Sequence, residues 1–283
     1  MAVSALQLVT VYILLSIGYG IKSILFIITA ANILLSVAYL SSLRNLFFST
    51  SQPLDLKPLT SLGLKCWLIS LVEFGLGKQI DILFIGLFIT NIAEAGLYNI
   101  GITTPTLFSS LMTAGLGGVV LTVFSEIEAK QNDMQLGEAW QSMIKLQFIL
   151  SAPLVAFVVM FAEPIVLVLY TESYLPAALL TQVCGFFLIV QRILGGGTHI
   201  TVLYAKEFAK TVLITRLSGG LFNLVLDLIL IPIYGALGAI IATGASLVLT
   251  VGLEYMLIRK IVNHNYPIIF ILKVSVAIVI SIY

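Results

Sequence analysis

The chain has 283 residues, of which 60% are hydrophobic and 10% are charged, and its formal net charge is +1. Soluble domains carry about 25% charged residues because a folded surface must be hydrated. This composition excludes a water-soluble globule, and the near-neutral balance gives no reason to expect a nucleic-acid partner. We therefore expect an all-α, polytopic transmembrane helix bundle in a lipid bilayer.

Apolar segments of about bilayer length recur along the whole chain. Short or polar connections that contain proline or charged residues separate them. The pattern predicts about nine membrane segments, which are Val3–Gly18, Ile21–Leu43, Leu62–Thr90, Ala95–Phe124, Met143–Phe161, Pro176–Leu194, Thr211–Ile231, Ala236–Ile258 and Ile268–Tyr283.

Lysine and arginine concentrate in every second connection between these segments. Cytoplasmic loops are enriched in both residues. The predicted cytoplasmic connections are Arg44–Ser61, Glu126–Gln141, Lys206–Lys210 and Arg259–Pro267. The first and ninth segments therefore both begin on the cytoplasmic side of a multi-pass protein, which we predict to lie in the plasma membrane.

The third segment contains three ionisable residues, Glu73, Lys78 and Asp81. Each costs about 2.5–3.5 kcal/mol at mid-membrane on insertion scales, so such groups usually face protein or a watery cavity. The three lie within about a 140° arc of a helix, and the spacing of Lys78 and Asp81 allows them to pair. Either the set is a neutralised structural cluster, or Lys78 faces a central cavity and meets an anionic headgroup, or the side chains snorkel.

The fourth segment has a polar stripe whose members lie within about 80° of one another on a helix. The stripe consists of Asn99, Thr103, Thr106, Ser110, Thr113 and Gly117. Small and hydroxyl residues on one face form either a close helix–helix seam or a wall of an aqueous path. Tyr98, beside the stripe, is expected to be an interfacial anchor or a packing residue.

The seventh segment places Arg216, Asn223 and Asp227 on one face. The guanidinium of Arg216 could grip a phosphate or snorkel to the interface. Asn223 and Asp227 are expected to brace the turn at Pro232, and Glu254 in the eighth segment is expected to reach the cytoplasmic headgroups.

Metal, cofactor and catalytic sites are not predicted. Cys66 and Cys184 lie in different apolar segments without a partner spacing, which is typical of packing residues. His199 and His264 are too few and too far apart in the chain for a metal site.

The sharpest motif joins the seventh and eighth segments, where Leu230-Ile231-Pro232-Ile233-Tyr234-Gly235-Ala236-Leu237-Gly238-Ala239 combines a helix-ending proline with small residues that permit close packing. With its flanks, the run from Asn223 to Thr243 resembles a late-helix pattern of the polysaccharide and O-antigen flippases, which belong to the multidrug/oligosaccharidyl-lipid/polysaccharide exporter superfamily. Further stretches agree in order and spacing over roughly Leu54 to Lys260, namely Pro58, Asp81–Gly86, Ala95–Asn99 and Glu163–Ala178.

The resemblance implies a two-lobed transporter that flips a polyprenyl-diphosphate-linked oligosaccharide by alternating access and is not an enzyme. The substrate-binding candidates are Lys78, Asp81, Glu73, Asn99 and Arg216. Four helices of the first lobe are absent, so we expect a fragment that needs those helices from a longer chain. The implied domains are the last two helices of the first lobe (1–48), a cytoplasmic linker (49–61), a six-helix second lobe (62–262) and the start of an additional helix (263–283).

Three alternatives stay open. A multidrug antiporter of the same superfamily would use Glu73 or Asp81 as its cation-coupling carboxylate. A membrane-embedded glycosyltransferase would need a sizeable outer loop, and the predicted outer turns are short. A non-transporting membrane scaffold is the third.

Overall fold

The expected all-α bundle is confirmed: in the computed structural model the described residues form helices, turns and loops without a strand. Contacts divide the chain into two units, Met1–Lys57 and Pro58–Tyr283. The structure describes residues 2–49, 56–91, 93–113, 115–262 and 264–282.

The first unit contains a helical hairpin of α1 (Ala2–Ser16) and α2 (Ile21–Ser49). The turn after α1 places Gly18 at φ +91°, and the amide of Tyr19 donates to the carbonyl of Leu14. This left-handed helix end is strained for any residue with a Cβ atom. The glycine therefore fixes where α1 stops and the chain reverses.

The second unit contains the remaining helices. Three of them are long, α7, α11 and α12, and a single 3₁₀ turn (Glu172–Tyr174) precedes α9. The helices are α3 (Leu56–Gly75), α4 (Lys78–Phe88), α5 (Ala93–Leu111), α6 (Leu116–Ala129), α7 (Asp133–Met160), α8 (Ala162–Leu169), α9 (Ala177–Ile193), α10 (Thr198–Ala205), α11 (Ala209–Tyr234), α12 (Ala236–Ile261) and α13 (Ile268–Ile282).

Fewer helices can cross a membrane than the nine predicted segments. Within the described residues, four are long and apolar enough, or up to six if each of two bent helix pairs is one span. The chain is therefore a membrane protein, but the predicted segment count is too high by this measure. The count leaves out α13, whose described part has 15 residues, whereas about 20 cross a bilayer.

Two of the predicted segments are also broken. Leu62–Thr90 divides into α3 and α4 around Gly77, where an added Cβ atom would collide with the carbonyl oxygen of Glu73. Ala95–Phe124 divides into α5 and α6, and Gly115 caps α6 at φ +85°. A hydropathy average over the length of a span does not register such breaks, because the apolar stretches on both sides merge into one segment.

The segment between α11 and α12 differs from its prediction in one respect. Pro232 lies inside the last turn of α11, which continues to Tyr234, and the chain turns at Gly235 with φ +57°. Proline near a helix end removes only one backbone hydrogen bond, so the helix need not stop there. The close packing expected from the small residues is present, since a Cβ atom on Gly238 would meet the backbone of Leu230.

Connections predicted to share a membrane face lie together in the second unit. Lys206 Nζ is 2.8 Å from Glu128 Oε2, and Gln141 Nε2 donates to the carbonyl of Asn265 at 3.1 Å. These pairs join three of the connections predicted to be cytoplasmic. Two of the intervening connections also meet, since the amide of Ala236 donates to Glu94 Oε2 at 3.1 Å.

Candidate substrate cleft and carboxylate cluster

The second unit contains a cleft of ≈ 460 Å³, which we term the central cleft. Its walls come from the α3–α4 break and from α5, α9, α11 and α12. Three of its lining side chains are basic, Lys78, Arg192 and Arg216, and one is acidic, Glu73. Apart from the amide side chains of Gln191 and Asn223, the remaining lining residues are apolar, small or hydroxyl-bearing, so cationic groups line a largely apolar space.

Lys78 is the first residue of α4 and lines the central cleft. Its Nζ donates to Thr103 Oγ1 at 3.0 Å, and that hydroxyl lies 3.5 Å from Asn99 Oδ1. Within the part of the chain that the structure describes, no carboxylate lies within ion-pair distance of Lys78. The pairing with Asp81 that the spacing allows is therefore not formed, and the ammonium group keeps an uncompensated charge.

Asp81 lies at the centre of a buried group that we term the carboxylate cluster, made of Asp81, Tyr98, Asn223, Asp227 and Thr243. Asn223 Nδ2 donates to Asp81 Oδ1 at 2.8 Å, and Thr243 Oγ1 donates to Asp81 Oδ2 at 2.6 Å. The hydroxyl of Tyr98 also donates to Asp81 Oδ2. Four helices, α4, α5, α11 and α12, are joined at this one carboxyl group.

The second carboxyl group of the cluster is less well satisfied. Asn223 Nδ2 also donates to Asp227 Oδ2 at 2.8 Å, but Asp227 Oδ1 and Asn223 Oδ1 are buried without a hydrogen-bond partner. Asn223 therefore joins α4 to α11, Asp227 bonds to Asn223 on the same helix, and neither side chain braces the turn at Pro232. The two carboxyl groups share one amide donor, and the cluster contains no cation that would offset two negative charges.

The cluster borders the central cleft, because Asn223 and Thr243 belong to both. Any change in the charge of Asp81 or Asp227 would act directly on two side chains that line the cleft. Among the described residues, no group of three or more His, Cys, Asp or Glu side chains could hold a metal ion.

Arg216 lines the cleft as part of what we term the arginine bridge, Arg216 with Glu254 and Glu73. Its Nη2 lies 3.0 Å from Glu254 Oε1, and its Nε lies 3.4 Å from Glu73 Oε1. These are ion pairs without good hydrogen-bond geometry, since Arg216 Nε and both Glu254 oxygens have no hydrogen-bond partner. Glu254 is fully buried, so the expectation that it reaches the headgroups is wrong.

The remaining predicted residues divide between the cleft and its surroundings. Asn99 is exposed and does not line the cleft. Thr106 and Ser110 of the predicted stripe do line it, so part of the stripe is a cleft wall. The stripe ends with α5, because Gly117 falls in α6.

Sequence reasoning missed Arg192 and Tyr98 as parts of the site. Arg192 Nη2 donates to Ser109 Oγ at 3.1 Å, and Nη1 donates to the carbonyl of Gly196 at 3.1 Å. The signal lay in the sequence, because the glycine run at 195–197 ends α9 and leaves Arg192 in its last turn. Tyr98 gave no such signal, since an aromatic residue near a segment end is usual for an interfacial anchor.

Comparison with known proteins gives one family match and a structural likeness. A family model described as "Polysaccharide biosynthesis protein" matches residues 1–179. The solved structure titled "Lipid II flippase MurJ, inward closed conformation" aligns with 94% of this chain at a TM-score of 0.65 and 20% sequence identity. At this low sequence identity the likeness shows a shared fold alone. This chain covers 56% of the length of the flippase chain in that structure. No curated protein matches the chain.

Proposed function

We propose, because this chain belongs to the polysaccharide biosynthesis protein family, that it is a flippase which translocates a lipid-linked oligosaccharide for cell-surface polysaccharide synthesis. The proposed substrate is a polyprenyl-diphosphate-linked sugar, and the proposed site of action is the plasma membrane. Translocation makes and breaks no bond, so the protein would not be an enzyme. Because the chain covers 56% of the flippase structure it resembles, helices of a first lobe would complete the transport path.

The observation that supports this proposal best is the uncompensated charge of Lys78 in the central cleft. Its Nζ has a hydroxyl partner at 3.0 Å, and an ammonium group keeps three donors. A diphosphate can occupy the other donors, whereas a neutral sugar gains little from a point charge. Lys78 would therefore hold the diphosphate, and the apolar and hydroxyl walls would accommodate the sugar.

The other candidate residues would act around Lys78. Arg192 is a second cation that lines the cleft. Arg216 and Glu73 would hold the shape of the cleft wall through the arginine bridge, since their charges are already paired. Asn99 would orient Thr103 and through it Lys78.

Asp81 has a different proposed role, which is to couple transport to a cation. Alternating access needs a site whose occupation biases the two states, and a ligand shifts that equilibrium only by its differential affinity. The unpartnered oxygens of Asp227 and Asn223 give the carboxylate cluster such a site for a proton or small cation. The cluster joins four helices, so its occupation would change the packing of the cleft walls.

The test is Lys78→Ala in the complete transporter, measured as surface polysaccharide in a strain that lacks the endogenous flippase. We expect export to fall while the amount of protein in the membrane stays the same. Lys78→Arg keeps the charge and should retain export. Lys210→Ala is the matched control, because Lys210 is exposed at the start of α11 and does not line the cleft. Normal export by Lys78→Ala would remove Lys78 from the site.

A multidrug antiporter of the same superfamily is the second candidate, and the carboxylate cluster is the observation that favours it. Cation coupling through Asp81 would serve either transporter. The two differ in what occupies the cleft, since organic cations would be repelled by Lys78. Growth assays with toxic organic cations separate the two. Cells that express Lys78→Ala should gain no drug resistance if the protein is a flippase, and should keep or increase their resistance if it is an antiporter.

A further inference from the structure

A second basic groove lies between the start of α13 and the middle of α7, outside the central cleft. Its volume is ≈ 380 Å³, and none of its lining residues lines the cleft. Lys145 of α7 and Lys273 of α13 both line it, and no acidic residue does. The proposed transport mechanism makes no use of either lysine.

Both charges in this groove are uncompensated by carboxylates. Lys145 Nζ donates to Gln141 Oε1 at 3.1 Å and lies 5.8 Å from the centroid of the Phe270 ring. Across the described ranges, neither Lys145 nor Lys273 has an ion-pair partner within 4 Å. A groove with two such charges on adjacent helices attracts an anion.

The polar wall of the groove is held in place before any ligand binds. Gln141 Nε2 donates to the carbonyl of Asn265 at 3.1 Å, and the hydroxyl of Tyr266 donates to the carbonyl of Ile193. Pro267, the next residue, is buried. These contacts hold the loop before α13 against α7 and α9. The loop is therefore ordered before a ligand binds, and binding costs little of its conformational entropy.

The opposite wall is apolar and open. Ile268 and Ile269 line the groove with 59% and 68% of their surface exposed. Lys273 lies five residues into α13, about 8 Å along the helix axis, and Lys145 lies two residues after the predicted start of an apolar segment. Both ammonium groups therefore come from the edge of the apolar region, where lipid headgroups lie.

We infer that this groove is a binding site for an anionic phospholipid, with the lipid phosphate between Lys145 and Lys273 and an acyl chain along Ile268 and Ile269. Basic pockets between transmembrane helices on the cytoplasmic side are suited to anionic headgroups. The loops that flank the groove belong to the predicted cytoplasmic set. The inference is independent of the transported substrate, because the groove and the cleft share no residue.

The test is native mass spectrometry of the full chain, released from nanodiscs that contain either phosphatidylglycerol or phosphatidylcholine. We expect one phosphatidylglycerol to be retained and phosphatidylcholine to be lost. Lys145→Gln/Lys273→Gln should bind phosphatidylglycerol about 30-fold more weakly, and Lys273→Gln alone about fivefold. Lys145→Arg/Lys273→Arg should retain binding, and Lys210→Gln is the control with an exposed lysine elsewhere.

Three outcomes would overturn the inference. The first is equal retention of both lipids, which would assign the groove to acyl chains alone. The second is retention of phosphatidylglycerol by the double glutamine variant. The third is displacement of the lipid by inorganic phosphate, which would show that the groove takes a soluble anion.

Discussion

The carboxylate cluster and the arginine bridge bury charge in neighbouring parts of the same helices by opposite means. In the cluster, Asp81 accepts hydrogen bonds from three neutral side chains. In the bridge, the fully buried Glu254 depends on the charge of Arg216 at 3.0 Å. The proton or cation exchange that we propose for the cluster would act on hydrogen bonds from neutral donors, whereas the bridge depends on a pair of opposite charges.

This difference suggests that the cluster is a candidate for ion coupling and that the bridge has a structural role. A charged residue in a membrane is expensive, so a chain keeps it only where a partner or a function compensates. The bridge has its partner, which indicates that it holds α11 and α12 together. The cluster has two carboxyl groups and no cation among its members, which supports the role in ion exchange that we propose for it.

The largest expected effect comes from breaking the bridge. Arg216→Met leaves Glu254 buried without a cation, which should lower the free energy of unfolding by about 3–5 kcal/mol. Arg216→Met/Glu254→Leu removes both charges and should regain most of that loss. Thermal unfolding in detergent micelles measures both variants. If the double variant is no more stable than the single one, the bridge does not compensate Glu254 as described.

Glu73→Gln is the matched control for this prediction. The side chain of Glu73 is 50% exposed, and exposed pairs contribute about 0–1 kcal/mol. Its loss should therefore change stability far less than the loss of Arg216.

A smaller effect is expected in the carboxylate cluster, where Asp81 and Asp227 should respond differently. Asp81→Ala removes the acceptor of Tyr98, Asn223 and Thr243. Asn223 and Thr243 line the cleft, where water can replace the lost acceptor, so the expected cost is that of the buried Tyr98 hydroxyl, about 1–3 kcal/mol. Asp227→Asn keeps a carbonyl oxygen that can accept from Asn223 Nδ2 and removes a like charge, but it adds amide donors where Asp227 Oδ1 has no partner. The two effects oppose each other, so the loss of stability should be smaller than in Asp81→Ala. The same thermal measurement decides, and equal losses in both variants would contradict the distinction.

Helical spacing located the polar faces of this protein but not their partners. The four-residue spacing of Asn223 and Asp227 placed them on one face, and their side chains do contact each other. The spacing of Lys78 and Asp81 suggested a pair that does not form. Asp81 is instead satisfied by side chains from α5, α11 and α12, up to 162 positions away in the chain, and local periodicity carries no information about such contacts.

Family and fold class were accessible from composition and motifs, whereas the helix breaks were not. The predicted resemblance to polysaccharide flippases is confirmed by the family match, although the matched residues 1–179 end before the motif around Pro232. The breaks at Gly77 and Gly115 depend on backbone conformation and close contact. A glycine in an apolar segment is equally compatible with close packing of an unbroken helix, so its presence alone could not predict them.

The smallest expected effect concerns Lys206, whose ion pairs lie outside the membrane segments. Comparing its contribution to stability with that of Arg216 tests whether burial of the acidic partner sets the strength of the arginine bridge. Lys206 lies 2.8 Å from Glu128 and 3.2 Å from Asp133. Burial lowers its pKa, but hydrogen bonds and charges from both carboxylates outweigh that and leave the pKa above 10.5. Lys206→Gln should cost at most about 1 kcal/mol, because the carboxylates are 32% and 72% exposed.

The sign of the pH dependence follows from the raised pKa of Lys206. A cation with a raised folded-state pKa contributes its full stability below the unfolded value and loses it as pH rises through the folded value. The difference in melting temperature between Lys206→Gln and the parent protein should therefore be constant near neutral pH and shrink above pH 10.5. A loss as large as that of Arg216→Met would mean that burial does not set the strength of these pairs.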